Sequence, residues 1–275
     1  MLMKFPGGAL KALTFSYDDG VIYDKRLIEI MQKHGLKGTF NLNSGCFSSK
    51  PGERRMCAEE VLETYADSGM EVACHGLYHR FLTDCTSAVK SAEILQDKLN
   101  LENLFGRLIR GAAYAYGAYD NESVDILRSA GIAYCRTTVS TEAFSVPSDW
   151  LRMPATCHHN NPRLMELAGR FLEYEKVTAP WRLHPQLFYV WGHSYEFNDN
   201  NNWNVIEEFA ETVGGRPDIW YATNIEVYDY VTAFRSLQQS CDGKILRNPS
   251  AQTLYFSENG VDYTLAPGQT LTLTK

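Results

Sequence analysis

The sequence predicts an α/β fold in which parallel strands alternate with helices and curl into a (β/α) barrel, followed by a small antiparallel β appendix. Three observations predict it. Apolar strand-like runs alternate with helical patterns of about 10–15 residues from Ala9 to Ser240. Seven or eight such units fit into about 240 residues, a spacing that favours closure over an open sheet. After Ser240 the helical periodicity stops, and short alternating runs separated by Asn-Gly and Pro-Gly turns replace it. The expected division is a barrel over 1–240 and an appendix over 241–275, packed on the barrel or at a subunit contact.

The first strand is ALKALTFSY (9–17), which ends in Asp18-Asp19-Gly20. In YDKRLIEIMQKHG (23–35), Leu27, Ile30, Met31 and His34 fall at helical spacing and Gly35 supplies the stop. KGTFNLNS (37–44) reads as a strand, EEVLETYADSG (59–69) as a helix and MEVACHG (70–76) as a third strand. A long helix over 86–102 follows, then a strand and loop in RLIRGAAYAYG (107–117), a capped helix over 120–131 and a strand in IAYCRTT (132–138). LRMPAT (151–156) and PRLMELAGRFLEYEK (162–176) repeat the cycle. LFYVWGHS (187–194) is a strongly apolar strand; a helix over 203–215, a short strand over 219–223 and a last helix over 224–240 complete the series. In the appendix, KILRN, TLYFSENGVDYTL and QTLTLT alternate, with Glu258-Asn259-Gly260 as the hairpin turn.

Composition narrows the function. Apolar residues make up 44% and charged residues 21%, as in soluble globular proteins. The net charge of −7 argues against nucleic acid or an anionic membrane as a partner. No run approaches the roughly 20 apolar residues of a membrane helix. The opening residues lack the pattern of a signal peptide, so a cytoplasmic location is expected. The seven cysteines include no CxxC pair and suit reduced thiols better than disulfides or a cysteine zinc cluster.

In parallel α/β folds, functional groups collect at the C-terminal ends of strands. Asp18 and Asp19 stand after the first strand, His75 and His79 after the third, and His193 after LFYVWG. His-x-x-x-His presents two imidazoles on one face when helical. With one carboxylate they make a facial set for a divalent metal that keeps positions open for water. The second carboxylate can then stand beside the metal and accept a proton. Each part has a plainer use: Asp-Asp-Gly suits a turn, and a histidine after an apolar strand suits a structural hydrogen bond. Their shared location at strand ends is what argues for a site.

YDDG (17–20), HGLYH (75–79), AYG (115–117), DW (149–150) and WGH (191–193) resemble, in order, the motifs of the polysaccharide deacetylase family, also called the NodB-homology or carbohydrate esterase 4 group. The resemblance spans roughly residues 10–235. It implies a distorted (β/α)7–8 barrel of the NodB-homology type and one divalent metal ion, most often Zn2+, held by Asp19, His75 and His79. It implies Asp18 as catalytic base, His193 as the acid that protonates the leaving amine, Tyr116 as donor of a backbone N–H to the oxyanion, and Asp149 and Trp150 as supports of the site. The implied activity is metal-dependent removal of acetyl groups from N-acetylated amino sugars or acetylated glycans, with a carbohydrate or small acetylated molecule as substrate. Hydrolysis of another non-peptide C–N amide bond, or carbohydrate binding with weak catalysis, are the alternatives. A homo-oligomer is compatible with either.

The third motif departs from the family. Ala113 and Ala115 stand where the family carries Arg and Pro. The family arginine interacts with the catalytic aspartate, which makes Arg110 or Arg152 its expected substitute. His158 and His159 of CHHNN suit a substrate or metal contact and equally an ordinary loop. Trp191 suits the wall of an acyl pocket or the core. SYEFNDNNNW after His193 suits sugar contacts or a polar loop capping the next helix.

Overall fold

The computed structural model describes residues 1–273. The chain runs β1 (Leu2–Lys4), β2 (Lys11–Asp18), α1 (Asp24–Lys33), β3 (Thr39–Leu42), α2 (Ala58–Tyr65), β4 (Glu71–Cys74), α3 (Ser87–Phe105), β5 (Gly111–Ala113), α4 (Asn121–Ser129), β6 (Tyr134–Ser140), β7 (Met153–Ala155), β8 (Cys157–His158), α5 (Leu164–Val177) and β9 (Gln186–Gly192). It continues through α6 (Ser194–Asp199), α7 (Asn204–Val213), β10 (Ile219–Tyr221), α8 (Asn224–Arg235), β11 (Gln238–Gln239), β12 (Ile245–Arg247), β13 (Leu254–Glu258), β14 (Val261–Leu265) and β15 (Thr270–Thr272).

The expected parallel barrel is present and nearly closed. Its strand order is β7-β6-β5-β4-β3-β2-β9-β8, with β10 paired to the first half of β2. β7 pairs with β6, and β8, just beyond Thr156, pairs with β9. Residues 153–158 therefore span the gap between the two edges, first hydrogen-bonding one and then the other.

All eight residues of β2 are buried, because helices cover one face and the barrel interior receives the other. Leu13, Phe15 and Tyr17 pack outward in the same core as Leu27 of α1 and Phe209 of α7. Thr14, Ser16 and Asp18 point inward, where their polar groups must find partners. Thr14 donates to Asn224 at the start of α8, and Ser16 accepts from Asn41 of β3. The start of α8 also meets the first residues of β3 and β4, since Asn224 N–H bonds Thr39 and Ile225 N–H bonds Glu71. α8 thus stops the N-terminal mouth, and the C-terminal mouth is left for chemistry.

Two departures from the sequence reading concern the last third. The helix expected over 224–240 ends at Arg235, because Gln238 and Gln239 pair with Arg247 and Leu246 as β11 and β12. The polar segment after His193 is not only loop: Ser194–Asp199 forms α6. The appendix strands make two small antiparallel sheets, β1-β13-β14 and β11-β12-β15, and the N-terminal β1 joins the first of them. The β13–β14 turn takes Asn259 and Gly260 through φ of 51° and 78°, as an Asn-Gly hairpin requires. Residues 274 and 275 of the expected appendix lie outside the described residues. Cys46, Cys57, Cys74, Cys85, Cys135, Cys157 and Cys241 are all free thiols. Among the described residues, no helix is long and apolar enough to cross a membrane.

Candidate active site

Register brings the site together. Asp18 on β2 lies opposite Asn41 of β3, and its neighbour Tyr17 opposite Gly192 of β9, one residue before His193. Leu42 of β3 lies opposite Cys74 of β4, one residue before His75. Asp18, Asp19, His75 and His193 therefore meet at one mouth of the barrel, and the loop after β4 returns His79 to them.

One ligand atom each from Asp19, His75 and His79 lies within 4.8 Å of the others. His75 Nε2 and His79 Nε2 are 3.2 Å apart, and His79 Nε2 is 3.7 Å from Asp19 Oδ1. The His75 tautomer is set from behind: Nδ1 lies 2.9 Å from the Ala113 carbonyl, so it carries the proton and Nε2 keeps its lone pair. Burial, then the adjacent His75, pull His79 down to about 4, so its ring is neutral at pH 7. Two imidazole nitrogens and a carboxylate oxygen gathered in this way fit a divalent metal.

The backbone is strained at this point. Asp19, His79 and Tyr116 have φ of 87°, 56° and 57°, the left-handed region that non-glycine residues occupy at a cost of about 1–3 kcal/mol. The surroundings hold them there. Asp97 of α3 accepts from the His75 N–H at 3.0 Å and, through its other oxygen, from Ser44 N–H at 2.8 Å. Glu93, one turn earlier, accepts from Tyr78 N–H at 2.9 Å. Asn43 donates to the His75 and Gly76 carbonyls. Arg55 donates to the Asp19 carbonyl at 2.7 Å and to its Oδ1 at 3.1 Å.

Asp18 stands beside this set. Its Oδ1 accepts from Asn41 at 2.8 Å and its Oδ2 from Arg136 at 2.5 Å. Burial alone would raise its pKa; Arg136, then His75 and His193, outweigh burial and bring it to about 2. His193 Nε2 lies 3.8 Å and His75 Nε2 3.6 Å from Asp18 Oδ2. Asp18 is thus an ionised, buried carboxylate facing two imidazole nitrogens.

Sequence reasoning missed Arg136. The expected substitutes for the family arginine are elsewhere. Arg110 precedes β5 and is held by Asp229 of α8 through two bonds of 2.9 Å, at the opposite mouth. Arg152 is taken by Asp149 and Asn121. Asp149 is exposed, and Trp150 packs edge-on against Tyr228 of α8, so neither joins the cluster. The guanidinium that reaches Asp18 comes from the next strand, β6, and is fully buried. A signal existed: a charged residue in the middle of a buried strand needs a counter-charge.

The remaining candidates line the other side. The Trp191 ring lies 4.5 Å from the Arg136 guanidinium and 4.6 Å from the His158 ring. His158 and His159 surround Glu196 of α6, a residue the sequence reading passed over within a polar segment. The Tyr116 ring meets His79 edge-on at 4.3 Å and stacks on Phe81 at 3.8 Å, with the planes 2° apart. Tyr78, Phe81 and Tyr116 are 53%, 46% and 54% exposed, an uncovered aromatic step beside the metal set.

Residues 8–135 match the family model described as polysaccharide deacetylase, and this match shows the resemblance read from the motifs. Solved structures share the fold. A putative polysaccharide deacetylase from Mycobacterium smegmatis is 16% identical, with a TM-score of 0.62 over 85% of this chain and 94% of that one. The Xyl-CE4 domain of a multidomain xylanase from the hindgut metagenome of Trinervitermes trinervoides is 14% identical, with a TM-score of 0.55 over 81% and 92%. A carbohydrate esterase 4 family pseudoenzyme from Bacillus anthracis is 18% identical, with a TM-score of 0.50 over 79% of this chain and 65% of that one. These likenesses establish the NodB-type barrel. A sequence comparison with curated proteins gives no match.

Proposed function

We propose that the protein is a metal-dependent hydrolase that removes acetyl groups from N-acetylated amino sugars or acetylated glycans. One observation carries this reading: three lone-pair donors converge while a fourth group, Asp18, is kept anionic beside them by Arg136. A metal-binding structural site has no use for that extra buried charge; a hydrolytic site needs it as a base.

Asp19, His75 and His79 would hold the ion, for which zinc suits the nitrogen and oxygen donors. When bound, the ion supplies Lewis acidity and makes water acidic enough to attack at neutral pH. Asp18 accepts the proton that the attacking water loses. Its depressed pKa keeps it ready for this over the whole neutral range. His193, whose Nε2 lies 3.8 Å from Asp18, gives a proton to the departing nitrogen, without which an amine is a poor leaving group. The Tyr116 N–H is assigned to the developing oxyanion, where loss of one donor typically costs about 2.7–4 kcal/mol. The exposed step of Phe81 and Tyr116 offers an apolar face to a pyranose ring.

The test is metal content together with acetate release from N-acetylated chitooligosaccharides and acetylated xylan. The expected result is one divalent ion per chain and acetate in proportion to enzyme. Glycan binding without acetate release overturns the hydrolase in favour of a binding protein. Release of ammonia or another acid from small amides, with none from glycans, moves the reading to a different C–N hydrolase.

A further inference from the structure

Among the described residues, Glu196 is the carboxylate at hydrogen-bond distance from His193, 3.1 Å against 3.8 Å for Asp18, and its own surroundings are unusual. Its N–H bonds the His193 carbonyl at 3.1 Å, a tight turn that folds the side chain back over the imidazole. Oε1 then lies 3.1 Å from His193 Nδ1. Oε2 faces the loop after β8: Asn160 Nδ2 donates to it at 2.9 Å, His158 Nε2 lies at 3.3 Å and His159 Nε2 at 2.8 Å. His159 is fully buried and neither of its ring nitrogens makes an aligned hydrogen bond, so its approach to Oε2 is a charge–dipole contact. Gly192 permits this packing, since a Cβ there would fall 2.1 Å from His159 Nδ1.

His158, His159 and Glu196 have the spacing of a second metal set. Tautomers argue otherwise. His158 Nδ1 accepts the Asn160 N–H at 3.1 Å, so in the neutral ring the proton sits on Nε2, the atom that faces Glu196. That nitrogen has no lone pair to offer a metal. His75 is the reverse case, with Nδ1 donating and Nε2 open.

Resting on the deacetylase reading above, we propose that Glu196 is the positioning carboxylate of the acid His193, and that the 158–160 loop holds it anionic and turned inward. The Glu196 carboxylate fixes the His193 proton on Nδ1 and, when Nε2 is also protonated, stabilises the imidazolium. As the C–N bond breaks, the Nε2 proton passes to the leaving nitrogen, which takes the bonding pair. His193 is left neutral with its Nδ1–H on Glu196, and Glu196 keeps its charge throughout. The groups facing His193 are Asp18 and Asp19 from the end of β2, Glu196 and Tyr195 from α6, and His158 from β8. Of these, Glu196 alone touches Nδ1.

The test uses metal-loaded full-length protein and histidine 15N spectra, which need no variant and no substrate. Above its titration, wild-type His193 is expected as the Nδ1–H tautomer; an Nε2–H tautomer overturns the proposal. In Glu196→Gln, His193 is expected to titrate at lower pH, because the bonded carboxylate that favours its charged form is gone. Its kcat on an N-acetylated oligosaccharide is expected to fall by about 100-fold or more, and by distinctly less on 4-nitrophenyl acetate, whose leaving group needs no proton. An equal loss on both substrates, or an unmoved His193 titration, overturns it. So does a second bound zinc that His158→Ala removes. If no substrate releases acetate while the spectra behave as expected, the activity falls and the positioning role stands; acetate release with an unresponsive His193 has the opposite meaning.

Discussion

The Arg136 guanidinium reaches from β6 across the barrel interior to Oδ2 of Asp18 on β2, joining two fully buried charges 118 residues apart in the chain. The pair also bonds Ser16, so the arginine is anchored as well as neutralised. Breaking such a pair is worse than removing it, because the survivor is left as an unpaired buried charge. Arg136→Met is therefore expected to destabilise the fold by about 3–5 kcal/mol in urea unfolding. Adding Asp18→Asn should recover a substantial part of that loss. Additive losses in the double variant would mean the two groups do not act as a pair.

Asp18 and His75 stand close together but carry different assignments, and substitution separates them. Asp18→Asn keeps the size and the bond to Asn41, so the metal content measured by elemental analysis should stay at one per chain while acetate release is lost. His75→Ala removes a nitrogen donor and should lose both metal and activity. Full metal occupancy in His75→Ala would remove it from the ligand set.

Much of this site was legible in the sequence, for a physical reason. Asp18, Asp19, His75, His79 and His193 follow strand ends, and a parallel barrel puts all strand ends at one mouth. Arg136 and Glu196 were not found because their partners lie far away in sequence or on an element read as loop. Arg136 reaches Asp18 from β6, four strands away from β2 in the sheet, which only the sheet order reveals. Glu196 became significant once α6 folded its side chain back to His193. Arg110 and Arg152 were drawn in by closeness along the chain, whereas the barrel sends Arg110 to the far mouth and gives Arg152 to Asp149. Strand boundaries followed the apolar runs closely; the end of α8 did not, since the pairing of β11 with β12 is a tertiary choice.

Asp97 tests how far the metal set depends on its supports. It is buried and accepts from His75 N–H, Ser44 N–H and the Ser44 hydroxyl. An asparagine has one acceptor oxygen and presents an N–H2 donor where the other donors point. Asp97→Asn is expected to lower metal affinity by about 10–100-fold in competition with a chelator, as for other outer supports of metal ligands. Asp84→Asn, on the surface between α3 and the β4 loop, serves as the control. Unchanged affinity in Asp97→Asn would show that the backbone of the loop holds His75 without it.

Asp24 gives a pH signature. It is buried at the start of α1, where it accepts from Tyr65 and from Ser194, the residue after His193. Burial raises its pKa to about 7 despite those two bonds. The folded value lies above the unfolded value of 3.8, so between about pH 4 and pH 7 the native state holds a proton that the unfolded chain has released. The stability this proton confers is present at pH 4 and is lost as pH rises to 7, then levels off. Asp24→Asn cannot lose it. Urea unfolding of both metal-free proteins should show the variant gaining on the wild type as pH rises from 4.5 to 8, by up to about 4 kcal/mol. A difference that stays constant, or that moves in the wild type's favour as pH rises, would mean Asp24 is not the titrating group.

Phe81 addresses the substrate. Its ring stacks on Tyr116 and stays 46% exposed, so it adds little to the core. Removing it should therefore cost little stability. It stands beside His79 rather than among the groups that move protons, so a substrate's reacting amide would not touch it. A sugar ring one unit away from the reacting one would. Stacking of this kind contributes about 0.5–1.5 kcal/mol, equivalent to roughly a 2- to 10-fold change in binding. Phe81→Ala is accordingly expected to raise KM for a chitotetraose-length substrate within that range and to leave kcat near the wild-type value. For 4-nitrophenyl acetate, which has no second ring, KM should not move. An equal rise for both substrates would place Phe81 at the acyl group, and no rise for either would leave the aromatic step without a part in binding glycans.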